Sequence, residues 1–220
     1  ALMVIVTGVL VLIPDLFKKD KAEEPPVISN TTKPLVKTEK PFIYLYPTKN
    51  TAIDIKLELK GEMTNSYPKY KDGWRVTANS EGIIWDEDHN VYTGLYWEAN
   101  LGNYEIKKGF TVKRDDMELF LFEKLGVLGL NQFEIKDFME YWGDRLKKYE
   151  YSDITFLDNE YTDRAKIISD PVPDTTIRVF MVFQEGSKDS KLEPQTLEPK
   201  VRQGFTLVEW GGAELKGKKY

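Results

Sequence analysis

Thr93-Gly94-Leu95-Tyr96-Trp97-Glu98-Ala99-Asn100 is apolar enough to lie in a core, yet it sets an acid beside an indole. A second run of the same kind closes the apolar part of the chain: Phe205-Thr206-Leu207-Val208-Glu209-Trp210-Gly211-Gly212. Both are rich in the β-branched and aromatic residues that suit a pleated, half-buried surface, so both read as core strands. Each also carries one carboxylate where burial is costly unless a partner compensates it.

Working outward, Ile53, Ile55, Leu57 and Leu59 alternate with Asp54, Lys56, Glu58 and Lys60, a period of two with one buried and one wet face. Phe42 to Tyr46, between Pro41 and Pro47, is a further strand, as is Trp74 to Ala78. Gly82 to Trp85 and Val91 to Ala99 flank Asp86-Glu87-Asp88-His89-Asn90, which reads as a hairpin turn. The period then changes. Asp115 with Glu118, and Asn131 with Glu134, are capping-box patterns, and the short Gly129-Leu130 link makes the two helices an αα-hairpin. In the second helix Ile135, Phe138, Met139, Trp142, Leu146 and Tyr149 form one stripe, the pattern of a core face. Strands return at Ile154 to Leu157, Ala165 to Ser169 and Thr175 to Phe183, with a polar loop from Ser187 to Pro199 before the last strand. The expected fold is α+β: an antiparallel sheet or sandwich with an inserted αα-hairpin, preceded by an N-terminal hydrophobic helix.

The front of the chain is of another character. Ala1 to Pro14 is almost wholly apolar but shorter than the roughly 20 residues that span a bilayer. Because the chain opens on alanine, residues 1–17 are read as a truncated membrane anchor of the signal-anchor type, and no small-x-small cleavage site follows. Residues 18–40 carry Pro25, Pro26 and Pro34 among charges and read as a linker. Residues 41–212 are then a single domain and 213–220 a charged tail. Lys18, Lys19 and Lys21 favour a cytoplasmic C-terminal side by the positive-inside rule, against the external placement preferred below.

Composition excludes several chemistries. The 220 residues include no cysteine and one histidine, His89, which removes disulfides, thiolate metal sites, cysteine nucleophiles and any site needing two histidines. The net charge of −5, with no basic stripe, argues against a nucleic-acid partner. Asp86, Asp88 and Asn90 have the opening spacing of a calcium loop, but Val91 stands where glycine is needed and Trp97 where the bidentate acid belongs. No metal and no cofactor is expected.

Four blocks carry a resemblance: Lys40 to Pro47 (KPFIYLYP), Leu95 to Ala99, Asp174 to Phe183, and Gly204 to Gly212 with its VEWGG. Together they resemble a family of uncharacterised bacterial and fungal domains that open with KPxIYLYP and close with VEWGG. The likeness covers residues 40–212. Members of that family often look secreted or membrane-tethered, which implies a single-pass anchor with an external soluble domain; no catalytic residue is implied.

Two readings of the acids follow. Glu98 and Glu209, facing one cleft, could act as acid and nucleophile or acid and base on a glycosidic bond. The indoles Trp97 and Trp210 beside them would raise their pKa by desolvation and offer sugar-stacking faces. Alternatively each acid pairs with a buried cation and holds strands together, with Arg178 as the partner. Aromatics also crowd the first half, from Tyr44 and Tyr46 through Tyr67, Tyr70, Trp74 and Trp85 to Tyr92 and Tyr96; those that reach the surface would make a ligand platform, with the Tyr67–Trp74 loop the part most open to function. The expected function is a membrane-anchored extracytoplasmic interaction module for protein or glycan, an accessory subunit of a membrane assembly. The competing reading is a glycan-active hydrolase using Glu98 and Glu209.

Overall fold

The alternating run folds as expected. In the computed structural model, which describes residues 37–216, Ile53 and Ile55 are buried while Ala52, Asp54 and Lys56 face water. In chain order the strands of the first half are β1 (Lys37–Tyr46), β2 (Thr51–Leu59), β3 (Glu62–Tyr67), β4 (Trp74–Ala78), β5 (Ile84–Trp85), β6 (Val91–Tyr92), β7 (Leu95–Asn100) and β8 (Lys108–Lys113). A 3-10 turn at Arg114–Asp116 leads into helices α1 (Met117–Val127) and α2 (Gln132–Leu146). The second half has β9 (Tyr151–Leu157), the single-turn helix α3 (Asn159–Thr162), β10 (Ala165–Asp170), β11 (Thr175–Glu185), β12 (Glu193–Pro194) and β13 (Thr206–Glu214).

These strands form two sheets. Eight run in the order β12-β8-β9-β11-β13-β1-β7-β3, and five in the order β10-β2-β4-β5-β6. Pairing is antiparallel except for β11 with β13 and β12 with β8, which are parallel. One apolar core fills the space between the sheets, joining Ile53, Ile55, Trp74 and Val76 of the small sheet to Ile43, Leu45, Trp97, Phe180 and Leu207 of the large one. The other face of the large sheet is covered by the helices: Leu121, Leu125, Phe138 and Trp142 pack with Tyr44, Ile154, Val179, Val208 and Trp210. The architecture is three layers: small sheet, large sheet, helices. A strand in the middle layer has no wet face, so β13 is buried from Thr206 to Ala213 and reads as a continuous apolar run rather than an alternating one.

The helix layer is fixed at the start of α2. Asn131 Oδ1 accepts from the backbone N–H of Phe133 and Glu134, and Glu134 Oε2 accepts from Asn131 N at 2.8 Å, a complete capping box. The matching expectation for α1 does not hold. Asp115 pairs with Lys113 and Glu118 with Lys147, and the helix begins after Asp116 with no side-chain cap, because those acids have lysines to pair with.

Both ends of the domain lie beyond the expected limits. Residues Lys37 to Lys40, assigned to the linker, belong to β1; Thr38 is buried opposite Ala99 and its hydroxyl meets that of Tyr104. Charged neighbours on either side of Thr38 hid this extension. At the other end β13 continues through Gly211 and Gly212 into Ala213 and Glu214, past the expected start of the tail at 213. The glycines do not end the strand. A Cβ on Gly212 would lie 2.5 Å from the Met181 carbonyl oxygen and 2.9 Å from the Trp142 ring, so glycine there lets the α2 indole rest on the sheet. The run Val91–Ala99 is also two strands, β6 in the small sheet and β7 in the large one, divided at Gly94, where a Cβ would strike the Phe42 ring. Three strands, β3, β8 and the two-residue β12 inside the expected Ser187–Pro199 loop, have no counterpart in the sequence pattern; all lie towards the ends of the large sheet and carry little apolar residue. Among the described residues no helix is long and apolar enough to cross a membrane, and the anchor expected at residues 1–17 lies outside them.

Trp142 is fully buried between Phe138, Phe183 and Gly212, whereas Phe133, one turn from the same cap, is 81% exposed. Trp142→Ala is expected to cost about 3–5 kcal/mol in urea denaturation. Phe133→Ala should stay within about 0.5 kcal/mol. Equal effects would mean that the α2 stripe does not pack on the sheet.

Candidate functional site

Glu209 sits at the centre of β13 with no exposure, on the side facing the small sheet. Its partners come from three elements. Trp97 of β7 donates from Nε1 to Oε1 at 3.1 Å. The Tyr161 hydroxyl, from α3, donates to Oε2 at 3.0 Å. Arg178, directly opposite Glu209 on the parallel neighbour β11, donates from Nε to Oε2 at 2.7 Å. Its Nη1 donates to the carbonyl oxygen of Ala165, the first residue of β10 in the other sheet, at 2.5 Å. Nη2 lies 2.7 Å from the same Glu209 oxygen without an aligned hydrogen bond. The guanidinium also lies 4.8 Å from the Tyr161 ring centre, and that ring stacks on Phe180 at 3.9 Å. Burial, and then the Glu209 charge, hold the Tyr161 hydroxyl well above its ordinary pKa, so it remains a donor to the carboxylate. The cluster is a sealed electrostatic tie between strands and sheets.

Glu98 lies on the opposite face of the large sheet. Trp97 points into the space between the sheets, so its neighbour points away, towards the helices. There Lys37 Nζ meets Glu98 Oε2 at 2.5 Å, and the charge of Glu98 is felt by Tyr141 of α2. Burial and a hydrogen bond with Glu98 raise the Tyr96 hydroxyl above its usual range. Beside them Lys40, in the left-handed region at φ 57° where β1 bulges, aims its ammonium at three rings, 5.0 Å from Tyr96, 5.3 Å from Tyr141 and 5.7 Å from Phe42. Glu39 accepts from Arg145 at 2.8 Å and from the Tyr141 hydroxyl at 3.2 Å. The structure therefore does not bring Glu98 and Glu209 together: a sheet separates them, and no common cleft exists for the pair.

The expected ligand-binding aromatics divide in the same way. Trp74, Trp97 and Trp210 are buried, their indole N–H groups bound to Pro68 O, Glu209 and the Tyr44 hydroxyl, so none offers a face to a ligand. Tyr70 packs edge-on against Trp74 and its hydroxyl accepts from Leu57 N. Tyr67, on the outermost strand β3, is 65% exposed and touches Tyr92 edge-on. Two surface concavities are present instead. One lies between α1 and α2, lined by Met117, Leu121, Phe122, Ile135, Met139 and Gly143. The other, about 480 Å³, lies on the outer face of the small sheet, with Ala52 and Thr77 below, Trp85 and the Asp86–His89 turn on one side and Asp170–Pro171 on the other.

Sequence reasoning did not find two further polar ties. Glu134, fully buried, is clasped by Arg202, whose Nε and Nη2 also bind Gly129 O at 3.0 and 2.8 Å, fastening the β12–β13 connection to the α1–α2 turn. Trp210 Nε1 donates to the Tyr44 hydroxyl at 3.1 Å, which donates to Asp137 at 2.8 Å. Burial, then Asp137, raises the Tyr44 hydroxyl far above its usual pKa. The signal available was the IYLY alternation itself, which sends Tyr44 and Tyr46 to the same face. Asp86 proves to be the organiser of its turn, accepting from Asp88 N, Asn90 N, Asn90 Nδ2 and the Tyr92 hydroxyl, with its pKa lowered chiefly by the Asn90 amide. Among the described residues no group of three or more His, Cys, Asp or Glu could hold a metal ion.

The chain matches no family model, no curated protein and no solved structure.

Removing Arg178 strands the Glu209 carboxylate in an apolar layer, so Arg178→Met should cost about 3–5 kcal/mol. Glu209→Gln keeps one of the two acceptor oxygens and removes the buried negative charge, so it should cost less. In a double-mutant cycle read by urea denaturation, the pair Arg178→Met/Glu209→Gln should be less destabilised than the two single losses added together. Strict additivity would show that the two groups do not act on one another.

Proposed function

We propose that residues 37–216 form an interaction module, held outside the cytoplasm by an N-terminal membrane-anchoring helix, that binds a protein or glycan partner as an accessory subunit of a membrane assembly. Within it α1 and α2 serve as an inserted αα-hairpin that braces the sheet from behind. The observation that carries the reading is the placement of the two acids. Glu209 is sealed among Arg178, Tyr161 and Trp97, and Glu98 is tied to Lys37 on the far face of the sheet. A glycosidase that uses two carboxylates needs them about 5–10 Å apart across one open cleft. With both acids committed to holding strands, what remains open to a partner is surface relief. The tether is supported by the apolar run Ala1–Pro14 and the proline-bearing stretch after it, and the external side by the resemblance of the KPFIYLYP and VEWGG blocks.

Two measurements test this. The full chain, incubated with a panel of polysaccharides, should release no reducing ends above the blank, and Glu209→Gln should lower the melting temperature. Hydrolysis that both Glu98→Gln and Glu209→Gln abolish without loss of stability would overturn the module in favour of an enzyme. For the tether, removing residues 1–36 should yield a protein that melts cooperatively in the absence of detergent. Removing 1–40 should destabilise it, because Lys37 and Thr38 leave with the cut. Aggregation of the shorter cut would place the apolar run in the core.

A further inference from the structure

Of five tryptophans in the chain, Trp74, Trp97, Trp142 and Trp210 are core residues; Trp85 is the one that reaches the surface. Its ring stacks on no other aromatic, and its N–H donates to no protein group, among the described residues. Strand register explains the space in front of it. Ala52, Thr77 and Trp85 fall in one row across the outer face of the small sheet, so two small side chains lie beside the indole. In the next row Asp170, Asp54 and Arg75 lie side by side. The Asp54 carboxylate accepts no hydrogen bond and forms no ion pair among the described residues. Arg75 reaches only Asp72, at 3.5 Å, with both groups largely in water. A groove of about 480 Å³ results, of the size that takes small ligands, with one aromatic wall, a small-residue floor and the Asp54 carboxylate and Arg75 guanidinium at one end.

We propose that this groove is a carbohydrate subsite for a neutral pyranose chain, stacked on Trp85 and hydrogen-bonded by Asp54 and Arg75; the assignment rests on the interaction-module reading. A pyranose ring offers an apolar C–H face and a rim of hydroxyls. The electron-rich indole face suits the former, while a carboxylate acceptor and a guanidinium donor suit the latter. Charge decides against acidic sugars: Asp54, Asp86, Glu87 and Asp170 surround the groove against Arg75 as its one guanidinium. Topology decides against an extended peptide, which binds by adding to a free strand edge. The floor strands β2 and β4 are each paired on both sides, so they have no edge to offer. The wall is also set in advance. The hairpin that carries Trp85 is closed by Asp86 through Asp88, Asn90 and Tyr92, so little ordering is left for binding to impose.

The test titrates the full chain with cellohexaose, xylohexaose, mannohexaose and chitohexaose, reading heat and tryptophan fluorescence. At least one hexasaccharide should bind saturably and perturb the fluorescence. Trp85→Ala should weaken it about tenfold or more, the loss typical of an aromatic anchor, and Asp54→Ala about threefold or more. Trp85→Phe, which keeps an aromatic face, should retain most of the affinity. All three variants should melt with the wild type, because the residues they change lie on the outer face. Binding by none of the four sugars, or binding that survives Trp85→Ala, overturns the subsite. So does a protein partner captured by the wild type and lost with Trp85→Ala while no sugar binds. In none of these cases are reducing ends released, so the module reading is untouched. Hydrolysis that depends on Glu98 or Glu209 would instead overturn that reading itself.

Discussion

The pairing of Arg178 with Glu209 is the constraint on which the middle of the molecule depends. An ionised carboxylate and a guanidinium inside an apolar sandwich each carry a desolvation cost, and their mutual attraction offsets it only if the remaining donors and acceptors are also matched. Here they largely are. Both Glu209 oxygens accept hydrogen bonds, and Arg178 extends past its partner to the Ala165 carbonyl. Such a pair adds little net stability over a well-packed apolar substitute. What it does fix is arrangement. The contact is satisfied only when β11 lies parallel to β13 with Arg178 opposite Glu209, and when β10 brings Ala165 over them from the second sheet. A slip of one residue in β13 would carry Glu209 to the helix side and leave Arg178 alone beside Phe180 and Val182 of its own strand.

The same alternation explains the rest of the closing strand. Val208, Trp210 and Gly212 face the helices, while Leu207, Glu209 and Ala213 face the small sheet. Trp210 carries the tie to Tyr44 and onward to Asp137 of α2; Gly212 makes room for Trp142. The opening strand works in parallel. Ile43 and Leu45 enter the sandwich core, whereas Phe42, Tyr44 and Tyr46 pack on the helix side, and Lys40 caps that side by lying among aromatic rings. The KPFIYLYP and VEWGG blocks are therefore neighbours, paired from Phe42 with Trp210 to Tyr46 with Thr206. Their side chains are accounted for by holding the helices to one face of the sheet and the small sheet to the other, without reference to a ligand.

What could be read from the sequence follows from the same geometry. The small sheet has one wet face, so β2 shows a period of two, and the mixed α and β content was legible from that and from the α2 stripe. The large sheet has no wet face over its centre. Its strands show no alternation, and a sequence pattern gives no means of telling which acid points to which side. That is why Glu98 and Glu209 looked alike and could be imagined in one cleft. Strands β3, β8 and β12 were invisible because they lie towards the ends of the sheet and need little apolar residue. The parallel pairing of β11 with β13 follows from a connection that crosses to β12 at the far end of the sheet and returns, with Arg202 pinned to Gly129 and Glu134. No local signal encodes such a path. The capping box at Asn131 was legible because its partners are three residues apart; at Asp115 the same spelling failed, because lysines two and 29 residues away were better placed than the backbone.

The aromatic content, 13% of the chain, invites a search for a ligand platform among the most conspicuous rings, and those are the ones the fold has already used. A ring inside an apolar strand is there because two layers close over it; Trp97 and Trp210 donate their N–H groups to residues of the core and leave no face free. Availability runs the other way, towards rings whose strand is too short or too near a turn to be covered. Trp85 stands on a two-residue strand beside a polar turn, and its register neighbours Ala52 and Thr77 are too small to fill the space before it. Burial and recognition thus compete for the same residue types, and strand register decides between them. In the large sheet register places every tryptophan under another layer. In the small sheet it places one on the outside, next to the Asp54 carboxylate, unpaired among the described residues, and a guanidinium held only by a water-exposed contact with Asp72.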